Sequence, residues 1–133
     1  MEIREYRGYD EGEILSLYER VGWRAYTSRP EVLRKGFEGS LLKLAAYEGG
    51  KLLGLVRVVG DGQTVVFIQD LLVVPEHQRK GIGSALLKAV LGQYSHVSQI
   101  LLITDESPET RAFYEVNGFC SLAGKGCCGF MKA

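Results

Sequence analysis

The chain is short of the residues that mark many common functional classes: it has three cysteines, two histidines, one tryptophan and no excess of charge of either sign among 133 residues. Cys120, Cys127 and Cys128 are odd in number and crowded into one short stretch. That excludes a disulfide framework and fits a reducing cytoplasm, with the thiols free and in or near the core. Cys127 and Cys128 are adjacent, and His77 and His96 fall in no usual ligand spacing, so no metal is expected. No histidine partners a cysteine in a nucleophile motif, so no covalent enzyme intermediate is implied. Sixteen basic and sixteen acidic residues cancel, which removes the broad footprint of a nucleic-acid or anionic-membrane binder. Any anion site must be local. No apolar run approaches the ~18 residues of a membrane span. The first ten residues, MEIREYRGYD, lack the apolar core of a secretory signal, so a cytoplasmic protein is expected.

What is present suits one domain spanning residues 1–133, since the length allows one sizeable core but is short for two. Asp10 and Glu13 are spaced as a capping box, and Ile14, Leu17, Tyr18 and Val21 follow at helical spacing up to Gly22. A second helix is expected from Pro30, carrying Val32, Leu33 and Phe37, to near Gly39. The runs LLKLAAYE, KLLGLVRVV and QTVVFIQDLLVV, joined by glycine turns, read as an antiparallel meander. After Pro75, Ile82, Ala85, Leu86, Ala89, Val90 and Leu91 return to helical spacing, and QILLIT reads as a buried strand. Strand, helix and strand in that order imply a parallel crossover grafted onto the meander. A last helix opens at Pro108 and closes at Gly118, and FCSLAGKGCCGFMK has room for one or two short strands. The class is therefore α/β, in the α+β sense, with a mostly antiparallel sheet.

The segment VVPEHQRKGIGSALLKAV, residues 73–90, places a basic pair and two spaced glycines at a helix entrance. A helix N-terminus exposes unpaired N–H groups and partial positive charge, so it attracts phosphate, and glycines let the backbone come close. A phosphorylated ligand over the helix start answers the pattern. Generic nucleotide motifs do not: no P-loop is present, and the formal G-x-G-x-x-G at Gly124, Gly126 and Gly129 leaves only four residues after it, too few to open a helix.

Gln78, Arg79, Lys80, Gly81, Ile82 and Gly83 reproduce the pattern Q/R-x-x-G-x-G/A, flanked by the strand FIQDLLVVP, the later strand ILLIT and the segment PETRAFYEVNGF. In that order and spacing the chain resembles the GCN5-related N-acetyltransferase (GNAT) superfamily along nearly its whole length. More narrowly, RVGW, RVVGDG and the D-x-L/V-V strand are similar to small serotonin N-acetyltransferase-like members, a hint of amine substrates. The resemblance implies acetyl-CoA as cosubstrate with no metal, and a sheet whose central parallel pair splays apart between flanking helices. It implies that Leu72, Val73 and Val74 pair through their backbone with the pantetheine arm, and that Gln78 through Ser84 cradle the pyrophosphate. Arg79 and Lys80 would add attraction there, or stand as a solvated surface pair. Tyr114 would protonate the departing CoA thiolate, which a phenol of pKa ~10 can do for a thiol of pKa ~8.5; the alternative is a half-buried tyrosine with a hydrogen bond. Ser107 stands where many family members have asparagine, which weakens a side-chain contact to CoA from there.

An alkyl ammonium of pKa ~10 is only ~0.1% neutral at pH 7, so acetyl transfer also needs a proton acceptor. Asp70 and Gln69 interrupt an apolar strand at adjacent positions, which predicts side chains on opposite faces of the sheet. Asp70 is the candidate base or amine-binding carboxylate, or else a structural aspartate near a bulge. Trp23 and Tyr26 could line an amine site or serve as helix-packing residues. The expected function is direct acetyl transfer from acetyl-CoA to a primary amine of a small molecule or peptide, with no nucleic acid or membrane involved. A protein N-terminal or lysine acetyltransferase, a non-catalytic acyl-CoA-binding regulatory module and a homodimer stay open.

Overall fold

A computed structural model describes residues 1–133 and divides them into two compact units, Met1–Ile103 and Thr104–Ala133. The first unit is built on a five-stranded sheet in the order β1-β2-β3-β4-β5, with β1 Glu2–Glu5, β2 Leu42–Glu48, β3 Lys51–Gly60, β4 Val65–Val73 and β5 Gln99–Leu102. Neighbours are antiparallel except β4 and β5, which are parallel. Helices α1 (Glu11–Arg20), α2 (Arg24–Thr27) and α3 (Pro30–Glu38) connect β1 to β2, and α4 (Ile82–Gln93) makes the crossover from β4 to β5. The expected meander and crossover are thus present. β1 and the single turn α2 were not anticipated, because four residues carry too little periodicity to declare themselves.

Helices cover both faces of the sheet. Gly54 on β3 admits α4: a Cβ there would lie 3.3 Å from both Ile82 Cγ2 and Leu86 Cδ1 and 3.0 Å from the Leu72 carbonyl oxygen. Ile82, Leu86, Leu87 and Val90 of α4 are buried, as are Ile14, Leu17 and Tyr18 of α1 and Leu33 and Phe37 of α3. Burial of such side chains, at ~1.5–3 kcal/mol each, holds the layers together.

The start of α1 departs from the expected capping box. Asp10 accepts the Glu13 amide at 3.1 Å as foreseen. Glu13 does not return the bond; its Oε1 instead accepts the hydroxyls of Tyr6 at 2.9 Å and Tyr47 at 3.3 Å. The Asp10 amide goes to the Tyr6 oxygen at 3.3 Å. Tyr47 of β2 and Tyr6, just past the end of β1, thereby draw the carboxylate toward the sheet.

The second unit centres on α5 (Pro108–Val116). Ser107 caps it, accepting the Thr110 amide at 3.2 Å, and the Asp105 carboxylate takes the Ser107 amide at 2.8 Å. Ser107 is thus an N-cap. Gly118, at φ 91°, ends the helix. The segment after it contains no strand, contrary to expectation. A 3-10 turn spans Leu122–Lys125, Gly126 turns back at φ 73°, and the Cys127 amide is spent locally on the Leu122 carbonyl at 2.9 Å. Cys120, Cys127 and Cys128 are free but exposed, not placed in a core, because no strand there buries alternate side chains.

Candidate functional site

The entrance to α4 is a turn of unusual backbone. Arg79 is the one non-glycine residue with positive φ, 64°, and Gly81 follows at φ 86° as N-cap. A left-handed residue with a Cβ costs energy, so it persists only where its surroundings impose it. Gly81 supplies no side-chain cap of the kind that Ser or Asp would give to α4. Gln78, Arg79, Lys80 and Gly81 are exposed, Gly83 and Ser84 are half-buried, and Ile82 turns its side chain into the core. The result is a run of backbone donors with two adjacent cations, suited to an oxyanion group.

Strand β4 leads into this turn through a 3-10 turn at Pro75–His77. It pairs with β5 only from Val65–Gln99 to Ile68–Leu102, and then continues to Val73 without it. The Val74 amide donates to the Leu53 carbonyl at 2.8 Å, which fixes the alternation: Leu72 and Asp70 direct their backbone groups to β3, whereas Leu71 and Val73 direct theirs to the side that β5 has left. The Val73 carbonyl on that side accepts Gln78 Nε2 at 3.0 Å. The structure thus joins the strand end and the helix entrance into one continuous backbone surface. Of Leu72, Val73 and Val74, Val73 opens its backbone to the free edge, and Leu71 accompanies it.

A second feature lies on the α1–α3 face of the same strand. Arg57 pairs with Asp70 but Val58 pairs with Ile68, so Gln69 is the extra residue of a β-bulge. The bulge overturns the expectation that Gln69 and Asp70 face opposite sides, because both reach one hydroxyl. Tyr26 Oη donates to Asp70 Oδ1 at 2.9 Å and accepts from Gln69 Nε2 at 3.0 Å. Asp70 Oδ2 accepts Tyr18 Oη and Arg57 Nε, each at 2.8 Å. Arg57 also donates to the Gly36 carbonyl at 3.3 Å and Ser40 Oγ at 3.2 Å. Burial works against the Arg57 charge, but Asp70 outweighs it and the guanidinium pKa is raised. The Tyr18 phenol is pushed far up by burial and then by the Asp70 charge, and Tyr26 is raised chiefly by burial. Trp23 and Tyr26 both meet Tyr18 edge-on, at centroid distances of 5.8 and 5.3 Å. They pack helices, yet Tyr26 and Gln69 also form the exposed end of a polar chain.

In the second unit, Tyr114 is half-buried between Phe113 and Phe119, at centroid distances of 5.0 and 5.8 Å. Burial, helped by the Asp105 carboxylate, raises its pKa and keeps the phenol protonated. Val116, on the same helix, is exposed.

Residues 14–128 match the family described as "Acetyltransferase (GNAT) domain". The chain belongs to the GNAT family. A GNAT-family acetyltransferase from Streptococcus pneumoniae shares 36% identity and superposes with a TM-score of 0.90 over 99% of this chain and 96% of its own. The chain is 29% identical over 128 residues to an uncharacterised ycf52-like N-acetyltransferase of Prochlorococcus marinus, covering 91% of this chain and 68% of that one. It is 29% identical over 122 residues to the chloroplastic serotonin N-acetyltransferase 2 of Oryza sativa, covering 87% of this chain and 59% of that one. The GNAT protein described here thus spans about two thirds or less of those two relatives. Sequence reasoning did not connect Arg57 and Tyr18 to the site, and it named Gln69 beside Asp70 without giving it a role. A signal was available: Arg57 is the one charge in the apolar interior of β3, one hairpin away from the lone carboxylate of β4. Two such charges in neighbouring buried strands must meet to be tolerated.

Proposed function

We propose that this GNAT protein binds acetyl-CoA and transfers its acetyl group directly to a primary amine of a small molecule or peptide, residues 1–133 acting as a single N-acetyltransferase domain. The observation that carries this reading is the left-handed turn at Arg79 and Gly81, which opens an uncapped α4 beside the unpaired edge of β4. Gln78 to Ser84 offer backbone donors to a diphosphate, with Arg79 and Lys80 adding charge. The Val73 N–H and the Leu71 backbone groups lie on the strand edge for an amide-bearing arm, while the Val73 carbonyl is held by Gln78. Acetyl-CoA supplies an activated thioester.

In this reading the amine nitrogen bonds to the thioester carbon as the C–S bond breaks. Tyr114 donates its phenolic proton to the sulfur, a role supported by the raised pKa that keeps it protonated. The proton shed by the amine passes to solvent. Asp70 takes part through Tyr26, because its side chain is 1% exposed and its two oxygens already accept three hydrogen bonds. The serotonin acetyltransferase similarity and the aromatics Trp23 and Tyr26 favour arylalkylamines in an acceptor screen.

Calorimetry with acetyl-CoA followed by CoA release with a panel of primary amines tests the proposal. Micromolar uptake and turnover are expected. No uptake at millimolar acetyl-CoA overturns it, and uptake with no turnover on any amine or peptide means a binding module.

A further inference from the structure

Resting on the acetyltransferase reading, we infer that the amide oxygen of Gln69 is the hydrogen-bond acceptor that meets the incoming amine, and that Asp70 and Tyr26 are positioning residues which fix its orientation. The argument is one of hydrogen-bond polarity. Asp70, paired with Arg57 at 2.8 Å, is a carboxylate and can only accept. Tyr26 stands 2.9 Å from Asp70 Oδ1, so its single proton must point there. Its oxygen can then only accept from Gln69, 3.0 Å away. Gln69 must therefore present its NH2 group to Tyr26, and its Oε1 is left as the outer end of the chain. The amide orientation follows from the buried ion pair, without needing oxygen and nitrogen to be told apart.

The end of this chain is chemically selective. Gln69 is exposed, and as the bulged residue of β4 it projects beside the strand segment that β5 has left. An amide oxygen with fixed orientation takes an N–H or O–H donor and repels another acceptor. A primary amine has N–H donors in both its neutral and charged forms, so one contact serves docking and the step after deprotonation. The chain also explains why two strongly held tyrosines and a buried arginine surround one carboxylate: each removes an alternative partner that would let Tyr26 turn. Arg57 is 5.9 Å from the Tyr26 ring centroid, which restrains the ring as well as the carboxylate.

Gln69→Met, close in shape but without the amide, tests the idea, with the best acceptor from the primary-amine panel as probe. Its acceptor KM is expected to rise about tenfold, the effect of one charge-assisted hydrogen bond, with acetyl-CoA KM and kcat unchanged. Tyr26→Phe, which frees the Gln69 amide to flip, should raise acceptor KM by roughly threefold to tenfold and leave the pH profile of kcat/KM unshifted. An unchanged acceptor KM in Gln69→Met overturns the inference, as does the loss of a limb of the pH profile in Tyr26→Phe, which would make the chain a proton path. Calorimetry on each variant separates the two levels: failure of the wild type to take up acetyl-CoA removes the acetyltransferase reading and this inference with it, whereas normal uptake and turnover with unmoved acceptor KM remove this inference alone.

Discussion

Arg57 Nε lies 2.8 Å from Asp70 Oδ2 on paired positions of β3 and β4, with the two side chains only 6% and 1% exposed. The pair sits where the sheet slips by one residue, and three helices attach to it: α1 through Tyr18, α2 through Tyr26 and α3 through the Gly36 carbonyl. A buried pair offsets its own desolvation only when its remaining valences find partners, and here Asp70 accepts two tyrosine hydroxyls while Arg57 Nη1 donates to the Gly36 carbonyl and Ser40 Oγ.

Removing one partner should therefore be costly. Asp70→Ala is expected to lose about 3–5 kcal/mol, because Arg57 is left charged and buried. Arg57→Leu combined with Asp70→Leu should recover much of that loss. Urea melts of the single and double variants check this, and equal losses in both would contradict it.

At the helix entrance, conformation and space can be separated. A Cβ on Gly81 would meet nothing within 4 Å, yet φ is 86°. Gly81→Ala should lose about 1–2 kcal/mol through backbone strain alone, and acetyl-CoA affinity should fall with the altered turn. Gly81→Asn, better tolerated in the left-handed region, should fall between. Thermal melts and calorimetry give the two readouts.

For Tyr114→Phe, the expectation is a fall in kcat of about a hundredfold with unchanged acetyl-CoA affinity, the usual effect of losing a general acid. Intact kcat would assign the phenol to packing.

Alkaline stability follows from the tyrosines. Burial raises the phenols of Tyr6 and Tyr18 well above their ordinary value of 10. Unfolded phenols ionise first, so the unfolded state binds fewer protons and stability falls as pH rises above about 10. Below that pH the contribution is fully present. Melting temperature measured from pH 8 to 11 should drop steeply at the top of the range, and Tyr18→Phe should flatten the slope.

All three cysteines are exposed, so an aromatic disulfide reagent should titrate three thiols per chain without denaturant. Fewer than three would place a thiol back under cover.

The helices and strands were readable because their signals are local. Leu33 and Phe37 recur one helical turn apart, and Gly49 with Gly50 announces the hairpin between β2 and β3. The turn from Gln78 to Gly83 was readable for the same reason, since a backbone needing positive φ advertises itself with glycine. Arg79 shows the limit: nothing in its identity foretold φ of 64°. The C-terminal segment misled, because glycines and cysteines spaced like strand residues carry no signal that a partner strand is missing.

By itself the sequence determined the succession of α1, α3, the β2–β4 meander, α4, β5 and α5, and the helix entrance with its local charge, since each element is marked by residues within a few positions of one another. Only the tertiary structure decided that Glu13 serves Tyr6 and Tyr47, that Val73 and not Val74 faces the open edge, and that Gln69 and Asp70 converge on Tyr26. Those outcomes rest on partners 7 to 52 residues apart and on a one-residue slip in strand register, which reverses the face of every side chain beyond it.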